Sequence, residues 1–266
     1  MAETRQLSAA GAKGTAGGGL DPVLLVRIGI VVVTLVAWEA LAASGLLYRD
    51  VVPSLTRIGA ALWGVVSDPA FYWNLRVTAE EVAAGLLIGG TSGLVVGLIL
   101  GSNKFIARAY EPLLYWLAPT PKIIFFPVMI MLFGVGQGSK IGIGVISCFF
   151  PIALSVAAGM RGIDKVLIRV GRSFRANTWQ MVTKVYLPAM RAPILNGIRL
   201  GFGLAVIATL LAETKLSNQG LGYMVIQAYS LFNMPLMYAV LIIVFAISIT
   251  LNAMLERLAG SEPERR

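Results

Sequence analysis

Apolar runs of about twenty residues recur along this chain, and each is the length a helix needs to cross the core of a bilayer. Six can be placed, at about 23–47, 75–100, 112–133, 141–160, 193–212 and 235–255. Charged residues make up only 13% of the 266, about half the share found in an ordinary soluble domain. The short alternating segments of a transmembrane barrel are missing. The expected fold is therefore all-α, a polytopic membrane protein with six transmembrane helices over 22–258. Residues 1–21, rich in Ala and Gly, and 259–266 are expected to be tails, the first disordered.

The 22 Lys and Arg against 13 Asp and Glu give a net charge of +9. In a soluble protein that excess would suggest nucleic acid. Here membrane topology explains it, and no nucleic-acid partner is expected. With both termini inside, the inner segments hold Arg5, Lys13, Lys104, Arg108, Arg257, Arg265 and Arg266 together with a basic loop at 161–192. The outer segments hold Arg49, Arg57, Lys140 and Lys215, with Arg76 at the boundary, which is the asymmetry of the positive-inside rule. One cysteine, Cys148, and no histidine exclude an intrachain disulfide, His/Cys metal sites and His-based triads. No stretch has Walker A spacing; the nearest, GVGQGSK at 134–140, lacks it. No catalytic set, paired carboxylates included, is apparent, so no cofactor, metal or enzymatic activity is expected.

Within the spans, Gly85, Gly89, Gly93, Gly97 and Gly101 recur at every fourth residue. They form a stripe on one helix face, the pattern that lets helices approach closely. The third span carries Pro112, Pro119, Pro121 and Pro127 and should be kinked, with freed carbonyls that need partners inside protein or along a cavity. Asp68-Pro69 reads as a helix start, 55–66 as a short amphipathic helix, and 221–231 as a short or re-entrant helix. Charges inside spans are expensive and ask for a reason. Lys122, Arg199 and Glu213 are the candidates for a translocation path or gate. Glu39 needs a partner or water, and Glu80 and Glu81 are expected near water at the outer end of the second span.

The 161–192 loop carries Arg161, Lys165, Arg169, Arg172, Arg175, Lys184 and Arg191 against Asp164 alone. Val166, Val170 and Phe174 share one helical face, opposite the basic residues. Asn177 can cap a second helix, with Gln180 answering three residues on, and Trp179, Val182 and Tyr186 line that helix. Pro188 is expected to stop it. Two such helices could lie on lipid headgroups or dock a soluble partner.

The stretch resembles the cytoplasmic "EAA" loop of ABC-importer permeases, whose pattern is Glu-Ala-Ala, three residues, Gly, nine residues, Ile, one residue and Leu-Pro. Here Arg169-Val170-Gly171 stands first, then Arg172-Ser173-Phe174, Arg175, nine residues, Val185, Tyr186 and Leu187-Pro188. Spacing and Leu-Pro are kept; the Glu, both Ala and the Gly are replaced. PTPKIIFFPVMIMLFGVGQGSK (119–140), ILNGIRLGFGLAVIATLLAE (194–213) and GLGY (220–223) resemble permeases of the nitrate/taurine/sulfonate branch. The resemblance implies a multi-pass subunit of a bacterial inner membrane. It implies two cytoplasmic ATP-binding subunits, a second permease copy in a homodimer, and an extracytoplasmic substrate-binding protein. The cargo would be a small anion such as a sulfonate, taurine, nitrate or an aromatic carboxylate. ATPase coupling would fall on Arg169, Arg172, Ser173, Phe174, Arg175, Ala176, Asn177, Trp179, Leu187 and Pro188. An ion-gradient-driven carrier or channel is the alternative.

Overall fold

The computed structural model describes residues 22–46 and 51–259, so the expected tail at 1–21, and all but the first residue of that at 259–266, lie outside the described residues. The described chain is helical, without strands, and divides into two units after Leu55.

In the first unit, α1 (Pro22–Ala43) is apolar on every side and buries no residue. It ends four residues before the expected position, and Glu39 near its end accepts a hydrogen bond from the Leu55 backbone N–H at 2.9 Å. Trp38 donates its indole N–H to the Pro53 carbonyl at 3.0 Å.

The second unit takes in α2 (Leu55–Ser67) from its second residue and continues with α3 (Pro69–Ser102). Pro69 opens α3 in its first turn, where a missing N–H costs nothing, and the Asp68 carboxylate accepts from the Ala70 N–H at 2.8 Å. At 34 residues, α3 is about 51 Å long and outreaches the ~30 Å hydrocarbon core.

The third span is not one kinked helix. α4 (Lys104–Leu117) starts directly after Asn103, whose side chain accepts from the Phe105 and Ile106 N–H groups. The helix therefore begins at Lys104, ahead of the expected start of the third span at about 112. α4 passes through Pro112 and stops before Pro119 and Pro121; a 3₁₀ turn (Lys122–Phe125) and α5 (Phe126–Phe133) follow at 92° to it. Two prolines within three residues remove two donors and crowd the preceding turn, which breaks a helix rather than bending it. The described residues thus hold five helices long enough to cross a membrane, and six spans if the broken pair counts as one.

α6 (Gln137–Arg161) packs parallel to α3 along the glycine stripe. A Cβ on Gly89, Gly93, Gly97 or Gly101 would lie 2.5, 2.9, 2.6 or 3.0 Å from the carbonyl of Val145, Phe149, Ala153 or Ala157, in that order. The offset of 56 residues is constant over about three turns, so the two backbones are in contact along that length. In lipid there is little hydrophobic drive between helices, and close backbone packing supplies the attraction. The stripe therefore lies inside one chain, against α6.

After the loop helices described below, α10 (Arg191–Lys215) returns antiparallel to α6, with Gly197 against Ser155 and Gly201 against Ile152. α11 (Leu221–Ser230) and α12 (Met234–Ala259) complete the unit. Cys148, Ile152, Val156, Phe202 and Ala205 form the core between α6 and α10. One end of this bundle carries the 162–190 loop, and the other carries the start of α11.

Candidate functional site

At the loop end, Asp164 caps α7 (Lys165–Ser173) through the Val166 N–H at 2.7 Å. α7 closes with Arg175 at φ 50°, the left-handed region. The Arg175 N–H reaches the Arg172 carbonyl at 2.9 Å and the Ala176 N–H reaches the Gly171 carbonyl at 3.1 Å. These paired bonds are the Schellman closure, which normally uses Gly at the left-handed position. Arg175 thus occupies the place where the related pattern has Gly, and adopts the same backbone conformation.

Asn177 then caps α8 (Thr178–Met181) in a reciprocal capping box with Gln180, at 2.8 and 3.0 Å. Pro188 does not stop this helix. A π turn (Val182–Tyr186) leads into α9 (Leu187–Ala189), and the Leu187 N–H bonds to Val182 five residues back. The wider turn accommodates a proline that has no N–H and would crowd a carbonyl one α-turn earlier. Gly171 lets the two arms touch, since a Cβ there would lie 2.6 Å from the Met181 sulfur.

Ile168 and Tyr186 anchor the loop on the main core. Val166, Val170, Phe174 and Trp179 point away from it; Phe174 is 84% exposed and Trp179 74%. A groove of about 660 Å³ runs between the arms, with Val170, Phe174, Gln180, Lys184 and Pro188 on its walls. Arg169, Arg172, Ser173, Arg175, Ala176 and Asn177 all lie on or beside this ridge, and Leu187 follows it in the π-to-α junction.

The opposite end holds a buried charge cluster that the sequence did not reveal. Glu81 of α3 and Glu213 of α10 are fully buried, and Lys140 of α6 is 2% exposed. The Lys140 ammonium lies 3.6 Å from Glu81 Oε1. Glu81 does not face water, Lys140 is buried although it was expected in an outer segment, and two carboxylates do share a site. The misreading has a clear cause: both residues stand at the margins of apolar runs, where local pattern reads as interface. A signal was available, since Glu81 stands four residues before Gly85 and so on the packed stripe.

Glu213 seats α11. Its carboxylate accepts from the Thr78 hydroxyl at 2.7 Å and the Gly222 N–H at 2.6 Å. Thr78 Oγ1 accepts from the Leu221 N–H at 2.8 Å, and Asn74 Oδ1 from the Gly220 N–H at 2.7 Å. Three successive donors at the helix N-terminus are thus satisfied by side chains from α3 and α10, and the carboxylate suits the positive end of the helix dipole. Gly220 has φ 106°, and a Cβ on Gly222 would press on the Glu213 side chain. Next to this seat is a cavity of about 750 Å³ bordered by Lys215, Asn218, Tyr223 and Gln227.

The other charged candidates have local partners. Lys122 bonds to the Leu117 carbonyl at 3.0 Å and to the Ala118 carbonyl, and lies 5.0 Å from the Phe150 ring. It closes the C-terminal end of α4 where the proline break frees those carbonyls. Arg199 bonds to Asn252 at 3.2 Å and pairs with Glu256 at 3.1 Å, which ties α10 to α12 at the loop end. The structure does not bring Lys122, Arg199 and Glu213 together.

Residues 93–261 match the family described as binding-protein-dependent transport system inner membrane component. The chain belongs to that family. A permease of Bacillus subtilis named for aliphatic sulfonates transport, SsuC, is 30% identical over 74% of this chain and 71% of its own. The taurine transport system permease protein TauC of Escherichia coli is 27% identical over 87% of each chain. The nitrate import permease protein NrtB of Synechococcus elongatus is 25% identical over 74% and 73%. Among solved structures, a chain of the MetNI methionine ABC transporter in an inward-facing conformation has a TM-score of 0.59 at 22% identity. It covers 73% of this chain and 97% of its own length, a likeness in fold. This chain is accordingly a multi-pass inner-membrane permease subunit of an ABC importer of the sulfonate/taurine/nitrate branch. It is not itself an enzyme, and it works with separate ATPase subunits.

Proposed function

We propose that this permease forms half of a homodimeric path for a small solute that carries an anionic group: a sulfonate, taurine, nitrate or an aromatic carboxylate. An extracytoplasmic binding protein delivers the solute. Two ATP-binding subunits dock on the 161–192 loop, which lies in the cytoplasm with both termini. The observation that carries this reading is the loop's inverted polarity. A basic double turn closed by backbone and capping hydrogen bonds leaves Phe174 and Trp179 exposed beside an open groove. Large aromatic anchors of this kind carry most of the affinity where two proteins meet, and the surrounding arginines set register. A rigid turn fixed by a Schellman closure and a capping box also transmits displacement to α6 and α10 without absorbing it.

An anionic cargo is supported by the names of the relatives and by the cavity beside the α11 seat, where Lys215 is the one cation among the lining residues. Weak, single-cation contact suits a path that must also release its cargo.

The test is ATP-driven uptake in proteoliposomes that hold the permease, its ATPase subunits and the binding protein, with each of the four solutes in turn. Trp179→Ala should weaken docking by about thirtyfold, the level of an interface anchor, and Phe174→Asp should abolish coupling while membrane insertion is unchanged. Wild-type uptake and ATPase stimulation in both variants would overturn the docking assignment.

A further inference from the structure

A second cavity, of about 930 Å³, opens at the loop end of the bundle, between the end of α3, the start of α4 and the end of α6. One face of α4 lines it with Lys104, Arg108, Glu111 and Tyr115, at helical spacing. Arg161, the last residue of α6, closes the far wall. Its guanidinium forms a two-pronged bond to the Glu111 carboxylate, at 2.7 and 2.9 Å. That pair satisfies the cavity's one acid. Lys104 and Arg108 remain, one turn apart, with no ion pair or hydrogen bond to any described residue.

The surroundings of α4 are those of a membrane interface. Phe105 is 81% exposed and Trp116 73%, and Tyr110 lies between them on the exposed side. Aromatic side chains of this kind sit at headgroup depth. A basic recess between spans at that depth, flanked by apolar surface, has the chemistry of an anionic phospholipid: phosphate against cations, acyl chains along the helix.

We infer that this recess is a binding site for an anionic phospholipid headgroup, its phosphate held by Lys104 and Arg108. The Arg161–Glu111 pair forms the floor and links that site to α6, the helix that leads into the 162–190 loop. A lipid bound there therefore ties α4 to the helix that the ATPase subunits move. This assignment stands on the cavity and its charges and does not depend on the identity of the cargo.

The experiment uses the full chain, purified in detergent and incubated with phosphatidylglycerol or phosphatidylcholine of matched acyl chains; retained lipid is counted by native mass spectrometry. Phosphatidylglycerol should be retained in preference. Each cation contributes about a fivefold factor, so Lys104→Gln with Arg108→Gln should lower that retention about thirtyfold. Phosphatidylcholine retention should not change. Arg76→Gln, near the opposite end of α3, should leave both lipids as in the wild type, and excess inorganic phosphate should not displace the bound lipid. Undiminished phosphatidylglycerol retention in the double variant would refute the site, as would equal retention of the two lipids. Displacement by inorganic phosphate would make it a free-anion site instead.

Discussion

Lys140→Met is the perturbation that most directly tests the buried cluster. The ammonium is 3.6 Å from Glu81 Oε1, and neither side chain reaches solvent. At an effective dielectric of ~20 a pair at that separation is worth about 5 kcal/mol. Removing one partner of a buried pair costs about 3–5 kcal/mol, because the other charge stays buried and uncompensated. The cost is aggravated here, since Glu213 adjoins Glu81 and loses the same counter-charge. For a chain of this size the thermal midpoint should fall by on the order of 10 °C. The assay is thermal unfolding of the purified protein in detergent, followed by loss of the monodisperse peak on size-exclusion chromatography. Glu81→Leu on top of Lys140→Met should recover much of the loss, because it removes the stranded carboxylate; the pair should be non-additive by about 2 kcal/mol or more. Arg76→Met removes the exposed Arg76–Glu80 pair on the same helix, one side chain 67% and the other 52% exposed, and should leave the midpoint unmoved. A Lys140→Met midpoint equal to wild type, or strict additivity with Glu81→Leu, would refute the claim that these charges meet.

Gly97→Ala places a methyl 2.6 Å from the Ala153 carbonyl, so α3 and α6 must separate; a loss of about 1–3 kcal/mol is expected in the same thermal assay. Gly90→Ala on the same helix meets only the tip of Ile152 at 3.6 Å and should be tolerated, which isolates the stripe. Arg175→Gly keeps the Schellman bonds and removes the cost of a left-handed non-glycine residue, about 1–2 kcal/mol. Amide exchange across 172–177 should slow in that variant, and faster exchange would show that the turn is not held in this geometry.

Several elements could be read directly because their causes are local. Span lengths follow from bilayer thickness, and the start of α3 follows from Asp68-Pro69. The second loop helix follows from Asn177 and Gln180, three residues apart, and the glycine face from a period of four. The loop register was recognisable even though Arg175 replaces Gly, since spacing along a chain survives a change of side chain. Each of these depends on residues within one contiguous stretch of chain.

Other features could be placed only by tertiary structure. Four prolines announced a distortion in the third span but not whether it would be a kink or a break, because that outcome depends on what receives the freed carbonyls. Lys122 does, with Phe150 of α6 beneath it. The α3–α6 alignment, constant over about three turns, decides which residues meet one turn beyond the stripe, and it sets Glu81 beside Lys140. The return of α10 then adds Glu213, and with it the seat of α11. The sequence by itself determined which stretches are apolar enough to span a bilayer, the proline-led start of α3 and the spacing of the loop motif, because each is written in contiguous residues. Tertiary structure alone decided which charges are paired, because partners 59 and 135 residues apart are selected by helix order and offset, and no local periodicity carries that information.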